Sequence, residues 1–182
     1  MKVKRTPSQT IGPFFHGSLQ WEGCQRVQFA EAGEAIVLTG KLFDGTGEPL
    51  GDSLIETWQL SPSAEPPTVP KDAAIPHGYG RIETAHDGSF RIETLMPGAA
   101  GGSAPHIEVT VFARGLLRAL RTRVYLADEA HVRADPILKP LAASERLKTL
   151  IASRTQGAAD GAPVYHWNIR LQGDGETVFF AF

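Results

Sequence analysis

His106-Ile107-Glu108-Val109-Thr110-Val111-Phe112-Ala113 is the stretch on which the fold turns. Apolar and polar side chains alternate along it with a period of two, as they do in a half-buried strand. Ile107, Val109 and Val111 share one face and form a candidate core stripe. His106, Glu108 and Thr110 share the other, and Arg114 joins them if the strand runs on. The pattern then repeats in both directions. Downstream, Leu120, Thr122, Val124 and Leu126 alternate with Arg121, Arg123 and Tyr125. Upstream, Glu34–Phe43 is rich in β-formers and is followed by the turn residues Asp44-Gly45-Thr46-Gly47. Ser53–Leu60, Gly80–Thr84 and Phe90–Leu95 read as further strands, and Asp87-Gly88 between the last two predicts a hairpin. Near the end, Tyr165, Trp167, Ile169 and Leu171 alternate with His166, Asn168 and Arg170. A Gly173-Asp174-Gly175 turn then leads into Val178 to Phe182. That apolar end is a poor exposed tail, so it is expected to be paired or buried.

One helix is expected from Ser144 to Arg154, with Ser144 as its cap, Leu147, Leu150 and Ile151 on one face, and Gly157 beyond its end. Many short strands with one short helical segment predict an all-β fold, a β-sandwich of mainly antiparallel strands. Two long loops interrupt it. Ser61 to Tyr79 carries Pro62, Pro66, Pro67, Pro70 and Pro76, and Ala99 to Pro105 has almost no side chains. The 182 residues, without repeat or linker, are expected to form a single domain, 1–182.

Composition narrows the function. A net charge of −2 leaves no basic footprint for nucleic acid, and no apolar run is long enough for a membrane span. The basic start Met1-Lys2-Val3-Lys4-Arg5 is followed by no apolar stretch, so no secretory signal is expected. Cys24 is the single cysteine, which excludes an internal disulfide or a paired-cysteine metal site. A cytoplasmic protein is the simplest expectation. His106 and Glu108 point the same way, about 7 Å apart along the strand. Such a pair can ligate zinc or iron, but it needs further ligands, and a plain polar strand face is the commoner meaning. Arg114, Arg118, Arg121 and Arg123 form a basic run that serves either salt bridges on the sheet or recognition of a carboxylate. Neither a nucleophile elbow nor a phosphate-binding loop is present.

Several stretches carry a resemblance. They are Thr6-Pro7-Ser8-Gln9-Thr10-Ile11-Gly12-Pro13, Glu56-Thr57-Trp58-Gln59, Ala104-Pro105-His106-Ile107, Phe112-Ala113-Arg114-Gly115, and Ile169 through Phe180. In this order the chain resembles the intradiol ring-cleaving dioxygenases, on the alpha-subunit side of those that act on protocatechuate. The resemblance implies a β-sandwich and, in catalytic chains, a non-haem ferric ion held by two tyrosinates and two histidines. Anionic oxygen donors suit a hard trivalent ion. Here Ser61-Pro62-Ser63-Ala64 stands where the first tyrosine is expected, Ala99-Ala100-Gly101-Gly102 where the second is, and His106-Ile107-Glu108 in place of a His-x-His pair. Tyr79 matches no ligand position. The implied role is therefore a chain with no catalytic or metal-binding residue of its own. It would work beside a homologous beta subunit that holds the Fe(III), in a higher-order alpha–beta oligomer. Together they would convert protocatechuate and O₂ to 3-carboxy-cis,cis-muconate. By position, Thr10, Gly12, Pro13 and Arg114 would form a wall of the substrate pocket, and an N-terminal arm, about residues 1–30, would pack on the partner. Two other readings stay open: a non-enzymatic β-sandwich binding module, and a stand-alone metalloenzyme using His106 and Glu108.

Overall fold

The alternating strands close on each other as two sheets. The computed structural model describes residues 19–66, 68, 69, 71, 75–155 and 161–181. The elements in chain order are β1 (Ala35–Phe43), β2 (Ser53–Trp58), β3 (Tyr79–Glu83), β4 (Ser89–Leu95), β5 (His106–Ala113) and β6 (Leu120–Tyr125), then α1 (Glu129–Ala134). Two 3-10 segments, Pro136–Leu141 and Glu145–Leu150, precede β7 (Ser153–Thr155), β8 (Val164–His166) and β9 (Ile169–Arg170). One sheet has the order β4-β1-β8-β7 with β9 also on β1, and the other has the order β3-β2-β5-β6. Most pairs are antiparallel; β1 pairs with β8 and β9 in parallel.

The inner stripes meet between the sheets. Leu38, Leu42, Ile92 and Ile169 from one face Ile55, Ile107, Val111 and Val124 from the other, all at 1% exposure or less. A second apolar cluster lies outside the four-stranded sheet, on its β6 side. There α1, the two 3-10 segments and the C-terminal stretch gather Val132, Leu138, Leu147, Leu150 and Val178 over Tyr125. β6 therefore has buried side chains on both faces near Tyr125, while the outer side chains of β5 are half-buried. Farther upstream, Cys24 and Val27 are buried, and Val27 donates its N–H to the Glu93 carbonyl, so this part of the N-terminal region packs on its own chain.

Four details differ from the sequence expectations. The helix over Ser144 to Arg154 is a single 3-10 segment, Glu145–Leu150, after which Ser153–Thr155 is a strand. Ser144 does cap it, through the Arg146 N–H. Second, α1 and Pro136–Leu141 are additional. Each starts on an aspartate, Asp128 and Asp135, whose side chain accepts a backbone N–H inside the segment. Third, Asp87-Gly88 turns the chain but forms no hairpin, because β3 belongs to one sheet and β4 to the other. Thr84 holds the end of β3 against β2 by accepting from the Ser53 N–H, while β4 pairs with β1 along its whole length. Fourth, the C-terminal strand pattern breaks at Trp167-Asn168, and the apolar end after Gly175 is no strand. Val178 is nonetheless buried, its carbonyl accepts from Thr122, and Phe180 donates its N–H to the Arg121 carbonyl. Phe182 lies outside the described residues.

The break at Trp167 explains Gly40. Asn168 accepts the Lys41 N–H with its side chain, in place of a ladder bond, and Trp167 donates its N–H to Thr39. This brings the Trp167 carbonyl so close that a Cβ on Gly40 would lie 1.7 Å from its oxygen. Gly40→Ala is expected to cost about 3 kcal/mol or more, read as a lower urea midpoint at unchanged m-value.

Candidate functional site

Strand register assembles the outer face of the four-stranded sheet. β5 and β6 place His106 opposite Tyr125 and Glu108 opposite Arg123. On the other side, β2 places Trp58 opposite Glu108 and Glu56 opposite Thr110, while β3 places Tyr79 opposite Trp58 and Arg81 opposite Glu56. One polar group centres on Glu108. Its Oε1 accepts from Arg123 Nη2 at 2.5 Å and lies 3.7 Å from His106 Nε2. His106 Nδ1 is 2.8 Å from the Ala104 carbonyl, which can only accept, so Nδ1 carries the hydrogen. The His106 and Tyr125 rings lie 5.2 Å apart. Behind them Asp135, fully buried, accepts the N–H groups of Ala104 and Ile137. The Phe180 ring closes over Arg123, 5.9 Å from the guanidinium carbon. A second group centres on Glu56, whose Oε1 accepts from Tyr79, from Arg81 Nε and, at 2.5 Å, from Arg81 Nη2. Arg81 also lies over the rings of Trp21 and Tyr79.

Burial sets the charges here. It raises the Glu108 carboxyl, but the hydrogen bonds and charges of His106 and Arg123 outweigh it and leave the group below the usual carboxylate range. The chain has three tyrosines. Burial raises Tyr125 to about 12; Arg123 opposes this and the Asp135 charge adds to it. Tyr79 is held well above its ordinary value by burial first and then by Glu56. Tyr165, in the core on β8, is also raised by burial. Each tyrosine is thus a neutral phenol at neutral pH.

The expected site residues do not converge. β5 ends at Ala113, so Arg114 lies past the strand, at the opposite end from His106, about 26 Å away along the chain. It does not share the His106 face. Its side chain is 59% exposed, and Nε meets Asp52 Oδ2 at 2.5 Å. Thr10, Gly12 and Pro13 lie outside the described residues, as does His16. Among the described residues no three His, Cys, Asp or Glu side chains come together as metal ligands. His77, in the proline-rich loop, faces Thr68 beside a cavity of about 180 Å³. A larger open groove of about 930 Å³ runs past Lys41, Glu83, His86 and Arg91, and neither His106 nor Arg114 lines it. At the positions that the resemblance assigns to iron ligands stand Ser61 to Ala64, Ala99 to Gly102, His106 and Glu108. One imidazole and one carboxylate already paired with arginine do not fit a ferric centre. Arg123, Tyr125 and Asp135 are the members that sequence reasoning did not assign to this group. A hairpin turning at Gly115-Leu116 carries the missing signal, because it brings Glu108 and Arg123 into register.

The comparisons with known proteins agree with this architecture. A family model described as Dioxygenase matches residues 12–173, and the chain belongs to this family, the intradiol ring-cleavage dioxygenases. Within it, the chain is 40% identical to the protocatechuate 3,4-dioxygenase alpha chain of Burkholderia cepacia, covering 98% of each, and 37% identical to that of Pseudomonas putida, covering 99% and 98%. It is 31% identical to the Burkholderia cepacia beta chain, over 80% of this chain and 67% of that one. Among solved structures, the dioxygenase domain of a carbohydrate-binding fusion from Streptomyces sp. SirexAA-E superposes with a TM-score of 0.58 at 21% identity, over 93% and 99% of the two chains, a likeness of fold. No helix among the described residues is long and apolar enough to cross a membrane.

Because the folded protein holds Glu108 below its unfolded value, its contribution to stability is full above about pH 4.3 and fades as pH falls through the lower folded value. The gap in Tm between wild type and Glu108→Gln is therefore expected to be widest above about pH 5 and to close on acidification, measured by calorimetry across pH 3–7.

Proposed function

We propose that this chain is the non-iron alpha subunit of a hetero-oligomeric protocatechuate 3,4-dioxygenase, working in the cytoplasm. A homologous beta subunit holds the ferric ion, and the pair opens 3,4-dihydroxybenzoate with O₂ to 3-carboxy-cis,cis-muconate. The observation that carries this reading is the Arg123–Glu108 ion pair at the place of the second iron-ligand histidine. The end-to-end similarity to two alpha chains supports it.

The chain's own residues then act on the substrate from outside the metal's coordination sphere. Arg114 stands on an open rim, far along β5 from the closed His106 cluster. Its guanidinium can donate two parallel hydrogen bonds to the substrate carboxylate, with Asp52 holding Nε. Thr10, Gly12 and Pro13 complete the wall, where proline fixes φ and glycine permits a close approach. The N-terminal arm, within the single domain 1–182, reaches the partner chain. A carboxylate held there orients the ring and leaves its two hydroxyls facing the partner's metal.

Co-expression with a Tyr- and His-bearing homologous chain is expected to turn a colourless, inactive preparation into a coloured, active one. In that complex Arg114→Ala is expected to raise KM for protocatechuate about tenfold, or ~1.4 kcal/mol, with a smaller change in kcat. A stoichiometric ferric ion with a tyrosinate charge-transfer band in this chain purified alone would falsify the reading.

A further inference from the structure

The Glu108 cluster holds more donors than its ion pair uses. Arg123 has a side chain 10% exposed, and only Nη2 meets a carboxylate. Its Nε and Nη1, and the Tyr125 hydroxyl beside them, are buried and make no well-aligned hydrogen bond, although Tyr125 is close enough to Arg123 and Asp135 to interact with both. His106 commits Nδ1–H to the Ala104 carbonyl, which leaves Nε2 as the ring nitrogen that faces Glu108, 3.7 Å away. An imidazole nitrogen, a carboxylate and a phenol oxygen thus lie around one guanidinium, with the Phe180 ring over it and Glu108 37% exposed at the edge. A planar guanidinium satisfies one of the three. The cluster has the donors of a small-cation site and the hydrogen bonding of a poor arginine site.

We propose that His106, Glu108 and Tyr125 form a cation-binding site whose resident cation is the guanidinium of Arg123, so that a side chain of this protein occupies the place of a divalent metal ion. A divalent metal is kept out by occupation. The inference goes beyond the subunit reading and does not rest on it. It concerns this cluster alone, whatever chain supplies the catalytic iron.

The test uses the full-length chain, with any partner that co-purifies, and Co²⁺ as the probe. Arg123→Ala should bind one more Co²⁺ per chain than wild type, seen by equilibrium dialysis and by new visible d–d absorption. Adding Glu108→Gln should remove that extra ion. Millimolar methylguanidinium should compete with it. An Arg123→Ala protein that is folded and takes up no more Co²⁺ than wild type overturns the proposal, as does extra Co²⁺ that survives Glu108→Gln. Should Arg123→Ala not fold, thermal melts of two fuller side chains decide. Arg123→Met, of similar length and without charge, should melt about 5 °C lower, and Arg123→Lys should recover at least half of the loss. A Met variant as stable as wild type, or a Lys variant no better than Met, rejects a resident cation.

Discussion

β5 faces the core on one side and the edge of a second apolar cluster on the other, and the rest of the molecule is arranged around that. Its inward side chains Ile107, Val109 and Val111 are 0–2% exposed between the sheets. Its outward side chains His106 and Glu108 lie beside the apolar cap built by α1, the 3-10 segments and the C-terminal stretch. With a side-chain period of two, a slip of one residue would put Glu108 into the core and Ile107 beside Arg123. The sandwich core thus fixes the register, and the register fixes which polar groups meet outside. Burying the Arg123 charge would be costly by itself, so it persists through its contact with Glu108, which sits at the boundary of the cap with a side chain 37% exposed.

The same strand separates two surfaces. Its first residues sit in a closed cluster, packed against Phe180 and Tyr125. Past its last residue, Arg114 stands on an open rim and is held by Asp52. Asp52 itself adopts a left-handed backbone with φ 63, an unusual conformation for a non-glycine residue, just before β2. Two arginines about nine positions apart in sequence therefore have opposite surroundings. Arg123 is spent inside the fold. Arg114 is presented outside it, 59% exposed.

How far the sequence reaches depends on what stabilises each part. β1, β4 and β5 are legible because each buries one face, and half-burial writes a period of two into the residues. The helical turns are not legible by period. They last about two turns each and depend on the caps Asp128, Asp135 and Ser144 and on single buried contacts such as Val132 and Leu138. Asp87-Gly88 misleads because the residues of a tight turn encode a local reversal, while partner choice is made by distant side chains: Thr84 toward β2, Ile92 toward the core of the other sheet. At the site, His106 and Glu108 stand out as a spacing on one strand. Arg123, Tyr125 and Asp135 do not, since cross-strand register and a buried cap bring them there.

The state of Tyr125 shows how weakly the cation beside it acts on a phenol. A trivalent ion binds a phenolate strongly enough to strip the proton from a phenol. A guanidinium carries one charge spread over three nitrogens, and here it already faces Glu108. Its effect on Tyr125 is to lower the group, and burial together with the Asp135 charge still leaves the phenol at about 12. The hydroxyl is neutral at any physiological pH, and the charges of Arg123 and Glu108 cancel. A cluster of that composition can hold β5, β6 and the C-terminal stretch together, with its one carboxylate already paired to Arg123. The charge left facing outward lies at the other end of β5, where Arg114 stands 59% exposed against Asp52.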